Sequence, residues 1–145
     1  MPKTTLINNR RYLGNKYRLL PFITQVVNDH CPNVQIVADL FAGTGAVSSA
    51  FQDRQVITND ILYSNYISNL AWFGSEDYDQ EKITTLIEAY NHRQVHADNY
   101  MSLNFADTFF GRQDCRKIGY IRQDIERLYR RHELNDRERA LLLQC

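Results

Sequence analysis

Apolar positions along the chain change period several times, and each change marks an element. From Tyr17 to Val27, the residues Leu19, Leu20, Ile23, Val26 and Val27 recur at steps of three and four. This predicts an amphipathic helix with Pro21 near its N-terminal turn, where a missing N–H does little harm. VQIVADLF, residues 34–41, is a short run rich in branched side chains, with Gln35 and Asp39 as its polar members, and it predicts a buried parallel strand. FAGTGAVSSAF then turns into a helix. QVITND, residues 55–60, predicts a second strand ending in polar residues, and ILYSNYISNLAWF, residues 61–73, a helix on which Ile61, Asn65, Ile67 and Leu70 mark a less regular period. The order helix, strand, helix, strand, helix opens an α/β fold with parallel strands and right-handed crossovers.

After Gly74 no further strand signal appears. GSEDYD is the expected boundary loop, dividing the chain into parts 1–75 and 76–145. Asp79 can cap a helix running to Asn91 with Ile83, Leu86, Ile87 and Tyr90 on one face. Ile118, Ile121, Ile125 and Leu128 form a second stripe from Gln113 to His132, and a third helix should begin at Asn135 or Asp136. Between the first two lies the aromatic stretch NYMSLNFADTFFG, whose Phe105, Phe109 and Phe110 are expected in a core together with Tyr120. An α/β domain usually has five or more strands, and neither a repeat nor a low-complexity tract accounts for finding two. The expectation is a chain cut from a longer one, ending just after the apolar Leu141-Leu142-Leu143.

The 145 residues carry 17 basic and 17 acidic side chains, and the zero balance hides a segregation. Residues 1–30 hold five basic and one acidic, 31–110 three and ten, and 111–145 nine and six. A polyanion would therefore find its partners at the two ends of the sequence. No apolar window approaches the roughly 18 residues of a spanning helix, and the start MPKTTLINNRRYLGNKY has no apolar signal core, which predicts a cytoplasmic protein without a membrane partner. Cys31, Cys115 and Cys145 stand far apart from one another and from any histidine cluster, so neither a disulfide framework nor a metal site is expected.

The strongest constellation is Asp39-Leu40-Phe41-Ala42-Gly43-Thr44-Gly45, where a strand passes into a helix. Glycines there let backbone approach a ligand closely. Asp60 follows at the end of the second strand, and a carboxylate so placed accepts hydrogen bonds from ribose hydroxyls, as in dinucleotide sites. Against a dinucleotide, Ser48 stands at the third glycine place of GxGxxG. A tight turn without a ligand is the alternative reading. Upstream, Tyr12-Leu13-Gly14-Asn15-Lys16 sets an aromatic ring, a flexible glycine and a positive charge just before a helix.

Together YLGNKYRLLPFI, DLFAGTGAVSSAF and TNDILYSNYISN resemble the opening of the D12 class of DNA adenine N6-methyltransferases, in the family's own motif order. The resemblance is close over roughly residues 8–73 and looser over NYMSLNFADTFFGRQDCRKIGYIRQDI. It implies a partial Rossmann-like α/β methyltransferase fold followed by a helical insert, the start of a target-recognition region. It further implies that Tyr12, Leu13, Gly14 and Lys16 line S-adenosylmethionine, with Lys16 near the methionine carboxylate. Asp39, Phe41, Gly43 and Gly45 would surround its methionyl and ribose parts, and Asp60 would hold the ribose.

One family motif is missing from the sequence. The class receives the flipped adenine in DPPY or a close variant, yet only Pro2, Pro21 and Pro32 occur here and none are adjacent. Without it the adenine amine has neither orientation nor stacking, so the 145 residues are not expected to methylate double-stranded DNA alone. The other half would lie downstream, lie on a second polypeptide, or have been lost by a frameshift. Arg116, Lys117, Arg122, Arg127, Arg130 and Arg131 could position the phosphate backbone; the equal alternative is a solvated face with Asp124 and Glu126 as ion-pair partners. A non-catalytic binding module and a nucleotide-dependent oxidoreductase remain the rivals, and the cofactor motifs are indifferent to a DNA or RNA acceptor.

Overall fold

A computed structural model describes residues 16–144; Tyr12, Leu13 and Gly14 of the upstream motif, and Cys145, lie outside them. The chain divides into two compact units, Met1–Gly74 and Ser75–Cys145.

In the first unit, a single 3₁₀ turn over Lys16–Leu19 leads into helix α1, Leu20–His30, with Pro21 in its first turn as the sequence predicts. Strands β1, Ile36–Asp39, and β2, Gln55–Thr58, pair in parallel, with Ile36 opposite Gln55 and Asp39 opposite Thr58. Helix α2, Tyr63–Phe73, follows and ends where Gly74 donates its N–H to the Leu70 carbonyl. This is a small parallel sheet among helices, compatible with part of an α/β fold; two strands do not define a Rossmann-like order.

Three expectations are corrected here. The helix expected after the glycine loop is a series of turns ending in one 3₁₀ turn, Ser48–Phe51. Gly43 and Gly45 both take positive φ. The hydroxyl of Ser49 and the amide of Gln52 then bond backbone carbonyls three residues back, competing with the helical ladder. Second, β1 is not buried: Val37 and Asp39 are half-covered while Ile36 is 50% exposed, because nothing among the described residues packs over the face that Ile36 and Ile57 share. Third, α1 buries no residue completely, and Phe22 on it is 66% exposed.

The second unit has its own core. Helix α3, Gln80–His92, starts where the Asp79 carboxylate accepts the N–H of Lys82, the cap the sequence predicts. Helix α5, Arg112–Arg130, and helix α6, Asp136–Gln144, pack with it around Ile83, Tyr90, Ile125, Leu134 and Leu142. At the start of α6, Asn135 and Glu138 form a reciprocal capping box: the Asn135 side-chain oxygen Oδ1 accepts from the Glu138 N–H at 2.8 Å, and the Glu138 carboxylate from the Asn135 N–H at 3.0 Å.

Helix α4, Tyr100–Phe105, lies in the aromatic stretch, where hydrophobic periodicity is too short to show it; Asn99 and Ser102 close a second capping box there. Phe105, Phe109 and Phe110 are exposed rather than core, and only Tyr120 packs against the core cluster. The segment Ala106–Phe110 folds on itself, with Asp107 at positive φ donating its N–H to the Phe110 carbonyl, which turns Phe109 outward. Ile118 likewise stands 39% exposed instead of in the stripe, while Gly119 beside it is buried against Asn99. No helix among the described residues is long and apolar enough to cross a membrane, and none of their His, Cys, Asp and Glu side chains gather as a metal-binding group.

Candidate functional site

The two strands end side by side, and the segments after them are stitched together. Asn59 donates its N–H to the Asp39 carbonyl at 2.9 Å, and Ala42 donates to the Asn59 carbonyl at 3.0 Å. The Asn59 side chain reaches the Leu40 carbonyl at 3.1 Å. This brings the loop after β1 against Asp60, so that the Gly43 N–H donates to one Asp60 oxygen, Oδ2, at 2.8 Å. The other oxygen, Oδ1, accepts the Leu62 N–H at 2.9 Å and the Asn65 amide at 3.0 Å. These donors, Leu62 first, then Asn65 and Gly43, hold the Asp60 carboxyl below its ordinary range.

Above the strand ends opens a cavity of about 790 Å³. Lys16, Asp39, Phe41, Gly43 and Asp60 all line it, with Ile23, Val37, Ile61 and Leu62 as apolar wall. Phe41 is 85% and Ile61 98% exposed, giving it two open apolar side chains. Asp39 is oriented by the fully buried Ser48, whose hydroxyl donates to Asp39 Oδ2 at 2.8 Å.

The two glycines differ in what they do. A Cβ on Gly43 would meet nothing within 4 Å, so only its φ of +55° requires glycine. On Gly45, with φ +81°, a Cβ would stand 2.7 Å from Asn69 Oδ1 and 2.8 Å from the Phe73 ring. Gly45 is buried and outside the cavity lining; it lets α2 approach the loop. The N–H groups of Gly43 and Gly45 are taken by Asp60 and by the Ala42 carbonyl, and no α-helix starts behind them. A loop whose glycine N–H groups are already bonded is a poor cradle for a pyrophosphate.

Five of the six basic residues of the α5 stripe already have partners. Arg116 donates to Asp98 at 2.8 Å, a pairing that lowers the Asp98 pKa and raises that of Arg116. Lys117 donates to the Asn91 carbonyl at 2.7 Å. Arg122 pairs with Glu126, Arg127 with Asp124, and Arg131 stands 3.9 Å from Glu133. Arg130 is exposed, with no ion pair or hydrogen bond among the described residues.

Sequence reasoning did not identify Asn65, Asn69 and Ser48 as supports of the loop. The available signal was two asparagines four apart on the helix directly behind the strand-end aspartate, hence on one face.

A family profile described as D12 class N6 adenine-specific DNA methyltransferase matches residues 12–142. Modification methylase LlaI of Lactococcus lactis subsp. lactis is 34% identical over an alignment covering 92% of this chain and 24% of the relative. Type II methyltransferase M2.HphI of Haemophilus parahaemolyticus is 31% identical, covering 88% of this chain and 36% of the relative. Type II methyltransferase M.NlaIII of Neisseria lactamica is 36% identical over 44% of this chain. The chain thus spans from about a quarter to just over a third of the first two relatives. No solved structure matches it.

Proposed function

The chain belongs to the D12 class of N6 adenine-specific DNA methyltransferases, and we propose that its first unit is the S-adenosylmethionine-binding part of a site-specific enzyme of a restriction-modification system. The observation that carries this reading is the shared cavity: two carboxylates, Asp39 and Asp60, an ammonium, Lys16, and open apolar side chains line one space at the carboxyl ends of parallel strands.

The donor set fits the ligand. Asp60 keeps one of its roughly four lone-pair sites free, since three are taken by Gly43, Leu62 and Asn65, and it accepts a ribose hydroxyl there. Asp39 meets the ligand's ammonium and Lys16 its carboxylate. Phe41 and Ile61 cover the apolar parts. S-adenosylmethionine supplies the sulfonium methyl group that is transferred; the residues here hold and orient it. Gly43 and Gly45 shape the loop, the first beside the ligand and the second behind it.

The acceptor is adenine N6 in double-stranded DNA. The tetrapeptide that orients the base is not among the 145 residues, so the chain binds cofactor without methylating DNA by itself. The second unit opens the target-recognition insert, where Arg130, without an ion pair or hydrogen bond among the described residues, touches phosphate, and the paired arginines around it hold α5 in place.

A thermal melt of the 145-residue chain with S-adenosylhomocysteine or NAD tests the reading, since a ligand bound only to the folded state raises the midpoint. A rise with the first and none with NAD is expected; the reverse would favour an oxidoreductase site.

A further inference from the structure

Asn69 is 3% exposed and carries two hydrogen bonds from one nitrogen: its Nδ2 donates to the Gly43 carbonyl at 3.0 Å and to the Asn65 carbonyl at 2.8 Å. Two carbonyl acceptors fix the amide's orientation, because a flipped amide would set oxygen against oxygen. Its Oδ1 then has no partner among the described residues, and the would-be Cβ of Gly45 lies 2.7 Å from it.

Asn65, one turn earlier on α2, donates to Asp60 Oδ1, and Asp60 Oδ2 accepts from Gly43. The bonds close a ring: Gly43 N–H to Asp60, Asp60 from Asn65, the Asn65 carbonyl from Asn69, and Asn69 to the Gly43 carbonyl. Both sides of one peptide residue are thereby gripped, and the grip runs through the carboxylate assigned to the ribose.

We propose that Asn65 and Asn69 are positioning residues of the cofactor site, holding the Asp60 carboxylate and the Gly43 loop in one register through this ring. It rests on reading the cavity as an S-adenosylmethionine site. The terminal torsion of an aspartate is broad, so with only Leu62 and Gly43 as donors the carboxylate rocks between them. The third donor, Asn65, pins it, and leaves the free lone pair on Oδ2 at a fixed place for a hydroxyl. Asn69 does the same for the loop by holding the Gly43 carbonyl while α2 holds Asn69.

The test has two arms on the 145-residue chain. Without ligand, amide exchange by NMR should show the Gly43 N–H exchanging at least about fivefold faster in Asn65→Ala and in Asn69→Ala, while the α2 amide of Ala71 keeps its protection and reports that the helix is intact. Unchanged Gly43 exchange would overturn the ring. With ligand, calorimetric titration of S-adenosylhomocysteine should weaken about tenfold in Asn65→Ala. It should weaken no further when Asn65→Ala is added to Asp60→Ala, since a residue acting through another is silent in its absence. The isosteric Asn65→Asp, an acceptor where a donor is needed, should weaken binding at least as much as the alanine variant, because it also sets a second carboxylate beside Asp60. Independent, additive losses would overturn positioning through Asp60. A wild-type chain that binds no S-adenosylhomocysteine would overturn the cofactor reading itself, and the exchange arm would still decide whether the ring holds the loop.

Discussion

The Ser48 hydroxyl donates to the Asp39 carboxylate at 2.8 Å from a position with no solvent exposure. At the place where a dinucleotide loop carries its third glycine, this chain has a side chain that orients the last residue of β1. Ser48→Ala removes that donor and leaves Asp39 underbonded. The expected loss is about 1 to 2 kcal/mol in urea unfolding, together with weaker binding of any ligand whose ammonium Asp39 meets. Unchanged stability would mean that solvent replaces the hydroxyl.

Gly43 and Gly45 should respond differently to alanine. At Gly43 only the positive φ opposes a Cβ, at a cost of about 1 to 2 kcal/mol. At Gly45 the same strain adds to a clash with Asn69 and Phe73, for a total of about 2 to 5 kcal/mol. Urea melts of the two variants compare them directly, and equal losses would contradict the close approach of α2.

Glu138 is almost fully buried, yet its carboxyl sits below its ordinary value of 4.5. Burial is the largest influence and pushes it up, but the Lys82 ammonium at 2.7 Å and the N–H groups of Asn135 and Asp79 together pull it further down. A depressed folded value stabilises the protein fully above the unfolded value and loses that contribution as pH falls through the folded one. Stability should therefore drop as pH falls below 4.5. Glu138→Gln should remove up to about one proton from that slope. An identical slope in the variant would assign the acid sensitivity to other carboxylates.

Arg130 and Arg116 should separate contact from scaffold. Arg130→Ala should lower the salt slope of DNA binding by about one, with stability unchanged. Arg116→Ala should instead destabilise the second unit, because it frees Asp98 from its main partner. A slope unaffected by Arg130→Ala would leave it on a solvated face.

The elements that read clearly in the sequence are those whose cause is local. Asp79 announces α3 because a cap and the apolar stripe behind it lie within one helix, and both strands stand where branched residues cluster. The meeting of the glycine loop with Asp60 was legible because the two stand at the ends of successive strands that pair in parallel. What stayed hidden depends on partners far along the chain. Burial of β1 depends on what covers it, which VQIVADLF does not contain. The exposure of Phe109 follows from a tight fold at Ala106–Phe110, set by Asp107 rather than by the ring. Asn69 looks like any polar helix residue until Gly43, 26 positions earlier, is seen against it. The basic stripe on α5 was visible as charge, and its pairing with Asp124 and Glu126 as helical spacing, but the pairing of Arg116 with Asp98, 18 positions away, is a matter of three-dimensional neighbours.

The central claim is that Asp60 holds the ribose of S-adenosylmethionine, and calorimetric titration of S-adenosylhomocysteine into the wild-type chain and Asp60→Ala tests it most directly. Saturable binding by the wild type, weakened about ten- to hundredfold in the folded variant, is the predicted result. Equal affinity in both would contradict it, since a cavity that binds the nucleoside without using this carboxylate is not the site described.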